Sequence, residues 1–544
     1  MSEKSFFITG VVVDLIHQKL IPGEICVVDG RISEIRENPL VQGPFILPGF
    51  VDSHVHVESS MLSPVNFAKA AVKHGTIGVV ADPHEIANVA AESGVDYMVK
   101  NADRVPFYFF FGVPSCVPAS PMDVCEKVLD ADVVSRLLQR HDMWFLGEMM
   151  NFPGVVNADA DVLRKIKAAL DCGKPVDGHA PGLMGDDMER YFDAGISTDH
   201  ECFEINEARE KISRGAKILI REGSAAKNFE ALIPLVKENP DMVMFCTDDC
   251  HPDDLLLGHI NKSVKRAIKE GYPLFDVLRI ACVNPVKHYN LPIGLLQQND
   301  SADFIVVDNL SDFNVSSVYL KGIKVFDGED VLFGGDDTNL PLYSFRTTWD
   351  FDLKVKRESD KVRVIGVIPG ELITESLQFD TWETGDYLES DVSNDIVKIV
   401  LLDRYSERPP SIGFIKGLGI HSGAFGLSVA HDSHHVIVAG ANDNDIRACL
   451  KFIVESKGGI CAVGKGKLHG AKLPLFGLMS DKSAEYIAKE YHEVNVAVRN
   501  LGSTLHAPFM TLSFMALSVI PSLKINHLGL FDVDRFSTTN LFVK

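Results

Sequence analysis

Between Phe45 and Glu270 the chain repeats one alternation, a short apolar run followed by an amphipathic stretch. The runs are ILPGFVDSHV, TIGVVADP, FYFFFGVP, MWFLGEMM, KPVDGHAP, GISTDHE, AKILIREG and VMFCTDD. Helical patterns such as PVNFAKAAVKHG, DVVSRLLQRH, DADVLRKIKAALDCG and NFEALIPLVKEN follow several of them. Most runs are apolar throughout rather than at every second residue, as in strands covered on both faces. Eight strand–helix units are the number that closes a (β/α)8 ring, so the spacing predicts a TIM-like barrel over residues 48–284. An open, doubly wound α/β sheet is the alternative.

Two β-like pieces flank this region. Residues 6–35 read as short strands with turns at Pro22-Gly23 and Asp29-Gly30, and residues 294–333 read likewise. They are expected to pair as one small split β domain (1–47 and 285–340), with the barrel inserted in it. A C-terminal α+β domain is expected over 341–544. Its strand-like stretches include VRVIGVIP and DIVKIVLL, and its Gly458-Gly459 turn follows the helix-like FIVESK. A length of 544 residues suits two or three domains, and 46% hydrophobic against 24% charged residues suits a globular chain with ample core.

The formal net charge of −22, with no run of Lys and Arg, argues against nucleic acid or an anionic membrane as partner. The ten cysteines are scattered and none form a CxxC pair, which points to a reducing compartment and hence the cytoplasm. MSEKSFFITG lacks a basic region followed by a long apolar core, so no secretory signal is expected. The apolar stretch 508–523 is interrupted by Thr511, Ser513, Ser518 and Pro521 and is expected to be a buried element rather than a membrane span.

Six potential metal ligands sit at the ends of the strand-like runs: His54, His56, Glu148, His179, His200 and Asp248. Side chains alternate along a strand, so His54 and His56 share a face and can reach one ion while Val55 points away. Alone the pair is a weak signal, because the chain has 19 histidines. Two nearby cations repel and need an anionic bridge, which a carboxylate such as Glu148 can provide with one oxygen on each. His179 and His200 would complete the second ion's shell, and Asp248 would ligate the first. Bound cations acidify a shared water, and Asp248 is then the natural general base, passing the proton to the leaving group. Imidazole and carboxylate donors without cysteine suit Mn, Fe or Zn.

The stretches PGFVDSHVHVESSMLSP, GTIGVVADPHEIANV, GEMMNFPGV, DGHAPGL, STDHECFE, IREGSAAKN and CTDDCHPDDLLLGHI resemble those of bacterial adenine deaminases of the amidohydrolase superfamily. GFIKGLGIHSGAFGLSVAHDSHHVIVAG and PLFGLMSD extend the resemblance into the last third. ADPHEIAN and REGSAAKN are more specific than the HxH pair, which the whole superfamily shares. The resemblance implies hydrolytic deamination of adenine to hypoxanthine and ammonia in purine salvage. It also implies two divalent ions per chain, Mn(II) or Fe(II) in preference to Zn(II), and a homodimer or larger homo-oligomer. Many superfamily members bridge their metals with a carboxylated lysine at the fourth strand. Here Glu148 takes that place, which counts against a hydantoinase or dihydroorotase reading.

Attack at C6 of a purine requires ring nitrogen N1 to be protonated as electrons enter the ring. Glu85 in DPHE and Glu201 in DHE are the candidate acids, Glu85 the preferred one, with Glu201 otherwise a partner that orients a ligand histidine. His84 is a candidate substrate or auxiliary metal contact. Arg221, Glu222 and Ser224 are candidate pocket residues, with an Arg–Glu pair closing the barrel rim as the alternative. AHDSHH brings His431, Asp432, His434 and His435 together, as a metal cluster or as a turn held by Asp and Ser. Two further readings remain: a related amidohydrolase acting on another purine or cyclic amidine or amide, and a non-catalytic homologue. The completeness of the ligand set counts against the last.

Overall fold

Three strands open the chain in this computed structural model, which describes residues 5–224, 226–335, 343–382 and 385–543. β1 (Ser5–Asp14) pairs antiparallel with β2 (Lys19–Val28), which pairs antiparallel with β3 (Arg31–Glu37). Asp29 (φ 47°) and Gly30 (φ 78°) form the two-residue turn between β2 and β3, the left-handed pair that hairpins favour. The turn expected at Pro22-Gly23 is not one. Both residues lie inside β2, opposite Val11 and Gly10. Gly23 serves close approach instead, since a Cβ there would stand 2.0 Å from the Arg36 carbonyl oxygen on β3. β4 (Phe45–Leu47) then runs parallel to β1.

The barrel follows. β5 (Phe50–Val55), β6 (Thr76–Ala81), β7 (Tyr108–Val113), β8 (Met143–Met149) and β9 (Val176–Gly178) form one parallel sheet. β10 (Thr198–Asp199), β11 (Lys217–Arg221) and β12 (Val243–Cys246) form another. Backbone bonds join both seams: Ser197 N–H donates to the Val176 carbonyl at 2.9 Å, and Asp248 N–H donates to that of His54 at 2.9 Å. The eight strands therefore close into the expected barrel. Every residue of β5, β6 and β12 is buried, in keeping with strands covered on both faces. β12 is apolar throughout, β6 is apolar but for Thr76, and β5 carries the polar residues Asp52, Ser53 and His54. Side-chain caps start the flanking helices, Ser63 for Pro64–Ala71, Asp130 for Ala131–Leu138 and Asp159 for Ala160–Asp171. NFEALIPLVKEN divides into Phe229–Leu232 and Leu235–Glu238, the second beginning just after Pro234.

β13 (Phe304–Val307), β14 (Val315–Leu320) and β15 (Ile323–Phe326) return to the first sheet, in the order β15-β14-β13-β4-β1-β2-β3. The chain divides into two compact units. The first comprises Met1–His84, Asp96–Cys116 and Leu129–Asp337; the second comprises Glu85–Val95, Val117–Val128 and Thr338–Lys544. Two short stretches from within the barrel range thus group with the C-terminal region. The boundary expected at 340/341 lies outside the described residues.

The second unit is built on a nine-stranded sheet centred on Ile396–Leu402, His435–Gly440 and Ala424–Ala430, each buried along its length. Helix Asp443–Glu455, capped by Asn442, packs Ile446, Leu450 and Ile453 with Val400, Val436 and Val438. The stretch 508–523 forms helix Pro508–Ser513 and a 3-10 turn at Phe514–Ala516, then reaches the strand Leu523–Asn526. Among the described residues no helix is long and apolar enough to cross a membrane.

Lys524 in that strand is fully buried and donates to the carbonyls of Leu372 (2.7 Å) and Phe514 (3.1 Å). Burial pushes its ammonium down to about 7, against 10.5 for an ordinary lysine. Between those values the unfolded chain binds the extra proton, so stability should rise with pH across that window, by roughly 1.4 kcal/mol per unit. Lys524→Met should remove this slope. Thermal unfolding followed from about pH 7 to pH 10 checks it, and equal slopes in both proteins would clear Lys524 of the effect.

Candidate metal centre

The candidate ligands come from the C-terminal ends of the barrel strands, where such barrels carry their chemistry. β5 delivers His54 and His56 to one face, with their Nε2 atoms 3.2 Å apart. Glu148, near the end of β8, meets four imidazoles. Its Oε1 is 3.3 Å from His56 Nε2 and 3.5 Å from His84 Nδ1; its Oε2 is 2.6 Å from His179 Nδ1 and 3.2 Å from His200 Nε2. Each oxygen thus faces its own pair, the arrangement of a bridge. His179 follows β9 and His200 follows β10, and the His200 ring stacks on His54 with centroids 4.1 Å apart.

Asp248 follows β12 in the left-handed region (φ 58°), a conformation Asp tolerates better than most. The seam holds it there, because its N–H donates to His54 and its carbonyl accepts from His56 N–H at 3.1 Å. Asp248 Oδ1 then lies 3.1 Å from His56 Nε2 and 3.5 Å from His54 Nε2. The structure therefore brings all six expected ligands together, with His84 beside them. His179 is the most open, its side chain 27% exposed.

The charges explain what such a cluster needs. Burial opposes ionisation of Glu148, yet His179, His200 and His56 hold it well below the usual carboxylate range. Asp248 is likewise held low against burial, by Arg221 and then His54 and His56. The imidazoles answer. Burial and His56 work against His84, but Asp82 and Glu148 carry it up to about 10. Burial also opposes His179, which Glu148 and Glu201 raise to about 9. Buried carboxylates here demand positive charge. Divalent cations would satisfy the same demand and leave the imidazoles neutral, as ligation requires. The donor set fits them.

The remaining candidates separate. Arg221, buried at the end of β11, donates to Asp248 Oδ2 at 2.6 Å and to both oxygens of Glu201. Glu201 Oε1 lies 3.5 Å from His200 Nε2 and 3.8 Å from His179 Nδ1. Glu222 pairs elsewhere, accepting from Arg266 at 3.3 Å, while the Ser224 hydroxyl donates to Asp254 at 2.7 Å. The Arg–Glu pair of this region thus joins Arg221 to Glu201 rather than to Glu222. Glu85 lies with His431, 3.6 Å from its Nδ1.

Several supporting residues escaped the sequence reading. Asp52 accepts from His54 N–H and from the Thr247 hydroxyl, and lies 3.1 Å from His259 Nε2. Asp82 accepts from Glu148 N–H at 2.8 Å, an approach that Gly147 permits, since a Cβ there would stand 2.3 Å from Asp82 Oδ2. Asp177 accepts from the hydroxyls of Tyr289 and Thr198, and its burial pushes it up to about 7. Asp199 accepts from Lys211 at 2.6 Å. A signal was present: Asp-x-His occurs at Asp52/His54, Asp82/His84 and Asp177/His179, and Asp199 directly precedes His200.

Residues 45–325 match the amidohydrolase family, the class that a barrel with this strand-end ligand set defines. Residues 371–537 match the adenine deaminase C-terminal domain. Adenine deaminases from Parabacteroides distasonis, Methanosarcina mazei and Salinibacter ruber are 45%, 46% and 47% identical to this chain. The alignments cover 99%, 98% and 99% of it and 99% of each relative. The chain belongs to the adenine deaminase family.

Proposed function

We propose that the protein hydrolyses adenine to hypoxanthine and ammonia at the barrel cluster, with His54, His56, Glu148, His179, His200 and Asp248 as ligands of two divalent ions. The donors suit Mn(II) or Fe(II), with Zn(II) possible. When bound, the ions would supply an acidified water. The reading places the enzyme in the cytoplasm, in keeping with ten cysteines that are all unpaired.

The observation that carries the mechanism is the shared guanidinium. Arg221 binds two carboxylates, Asp248 and Glu201, at the edge of the ligand set. Against burial, Arg221 and the neighbouring imidazoles keep Glu201 below the usual carboxylate range, so both groups start ionised and able to accept protons. Water has two protons to lose. Glu201 takes one and hands it to N1 as oxygen bonds to C6. Asp248 takes the other and hands it to the exocyclic amino group as the C6–N bond breaks. Ring nitrogen N1 gains a hydrogen, C6 becomes a carbonyl, ammonia leaves, and both carboxylates return ionised. Glu201, rather than Glu85, is the N1 proton carrier in this reading.

Glu201→Gln should therefore lower kcat by about 100-fold or more, and Glu85→Gln should cost much less. Equal losses would leave the N1 carrier unassigned to Glu201. The test of the function itself is ammonia release from adenine by manganese-loaded protein, with bound metal counted on the same sample. Release with at least about two ions per chain supports the reading. Metal without release would move the substrate to another purine or cyclic amidine.

A further inference from the structure

Imidazole and carboxylate atoms converge a second time, within the second unit. Glu85, His431 and His434 each offer a ligand atom within 4.8 Å of the other two, and their exposures are 1%, 7% and 0%. His431 Nδ1 stands 3.6 Å from Glu85 Oε1 and 3.7 Å from Asp432 Oδ1. These separations are longer than an N–H···O hydrogen bond, whose heavy atoms sit about 2.9 Å apart. They suit two donors on a common ion, because atoms about 2.1 Å from a tetrahedral cation lie roughly 3.4 Å from each other. Within the barrel cluster the corresponding imidazole–carboxylate spacings of His56 are 3.1 and 3.3 Å and that of His200 is 3.2 Å.

The loop is held before any ion arrives. His431 N–H donates to the Ser513 hydroxyl at 3.2 Å, His434 N–H donates to the Ala430 carbonyl at 2.6 Å, and the Tyr405 hydroxyl donates to the Ser433 carbonyl at 2.8 Å. The His431 ring stacks on Phe514 with centroids 5.2 Å apart. Ligands fixed in this way lose little freedom on binding. His435 belongs elsewhere, its Nδ1 facing Arg404 N–H at 3.3 Å.

We infer that Glu85, His431 and His434 bind a third divalent transition-metal cation, separate in its ligands from the barrel pair. Two imidazoles and one carboxylate form the ligand set of open zinc sites and favour Zn, Fe or Mn over Ca or Mg. The ion compensates a buried carboxylate and ties residue 85 to the loop at 431–434, so its role is to cross-link the second unit.

Zinc is the probe. Parent, Glu148→Gln and Glu148→Gln/His434→Gln proteins are loaded with zinc, freed of loose metal and counted for ions per chain. The double variant should hold about one ion fewer than Glu148→Gln, and the parent about three in all. Zinc-soaked parent crystals should show an anomalous peak among Glu85, His431 and His434. Equal zinc in the single and double variants, or a parent with no more than about two ions and no such peak, would overturn the site. Should His434→Gln fail to fold by circular dichroism, Glu85→Gln replaces it, and the parent's anomalous map decides by itself.

Discussion

Asp248→Asn keeps its ions at saturating metal and lowers turnover by about 100- to 10,000-fold, the range a positioned acid–base group contributes. The expectation follows from the two oxygens. Oδ1 faces His54 and His56, where an ion would be held, and Oδ2 accepts from Arg221. An asparagine has one acceptor oxygen, so either the ion or Arg221 must face its NH2 group, which only donates. Metal affinity should fall with it, and saturating metal restores occupancy without restoring a group that can carry a proton. Steady-state ammonia release, with metal counted at each concentration, separates the two effects. Full turnover on restored occupancy would remove Asp248 from the proton path.

The barrel was legible because strands buried on both faces leave long apolar runs, and its ligands because each stands where such a run ends. The period-two rule explains one placement and would have corrected another. It puts His54 and His56 on one face, where their Nε2 atoms meet. It also puts Arg221 and Glu222 on opposite faces, and the structure sends Arg221 inward to Asp248 and Glu222 outward to Arg266. Arg221's carboxylate partner Glu201 lies twenty residues back, on a neighbouring strand end, so no local pattern announces it. Lys211 is hidden for a similar reason, since it reaches Asp199 from helix Ile205–Ser213. Pro22-Gly23 misled because the pair that often marks a turn here serves strand contact, as Gly23 admits the Arg36 carbonyl. The grouping of Glu85 with His431 and His434 depends on chain distance that no motif spans.

Glu148→Gln should have the largest effect on metal content. Two divalent ions about 3.5 Å apart, as in binuclear sites generally, repel by roughly 19 kcal/mol at an effective dielectric of 20. An anion touching both offsets this, and a neutral amide cannot. Losing a residue that only supports a ligand already costs about 10- to 100-fold in affinity, so losing the bridge should cost more than about 100-fold for the barrel pair. Unchanged occupancy of that pair would refute bridging. The metal-free proteins give an independent readout. There Glu148 is the main group raising His179 to about 9, against burial, and it also helps lift His84. A histidine raised above its ordinary 6.5 stabilises the fold fully below that pH, and the contribution is lost as pH rises through the folded value. In metal-free parent the His179 contribution should therefore be lost from about pH 6.5 to about 9, against the opposite Lys524 slope that both proteins share, and metal-free Glu148→Gln should lose less of it across the same window. The gap between their melting temperatures should be widest in acid and narrow toward pH 9. A gap that is flat with pH would mean that Glu148 does not hold these imidazoles charged, and the case for its carboxylate as the shared anion of the cluster would fall with it.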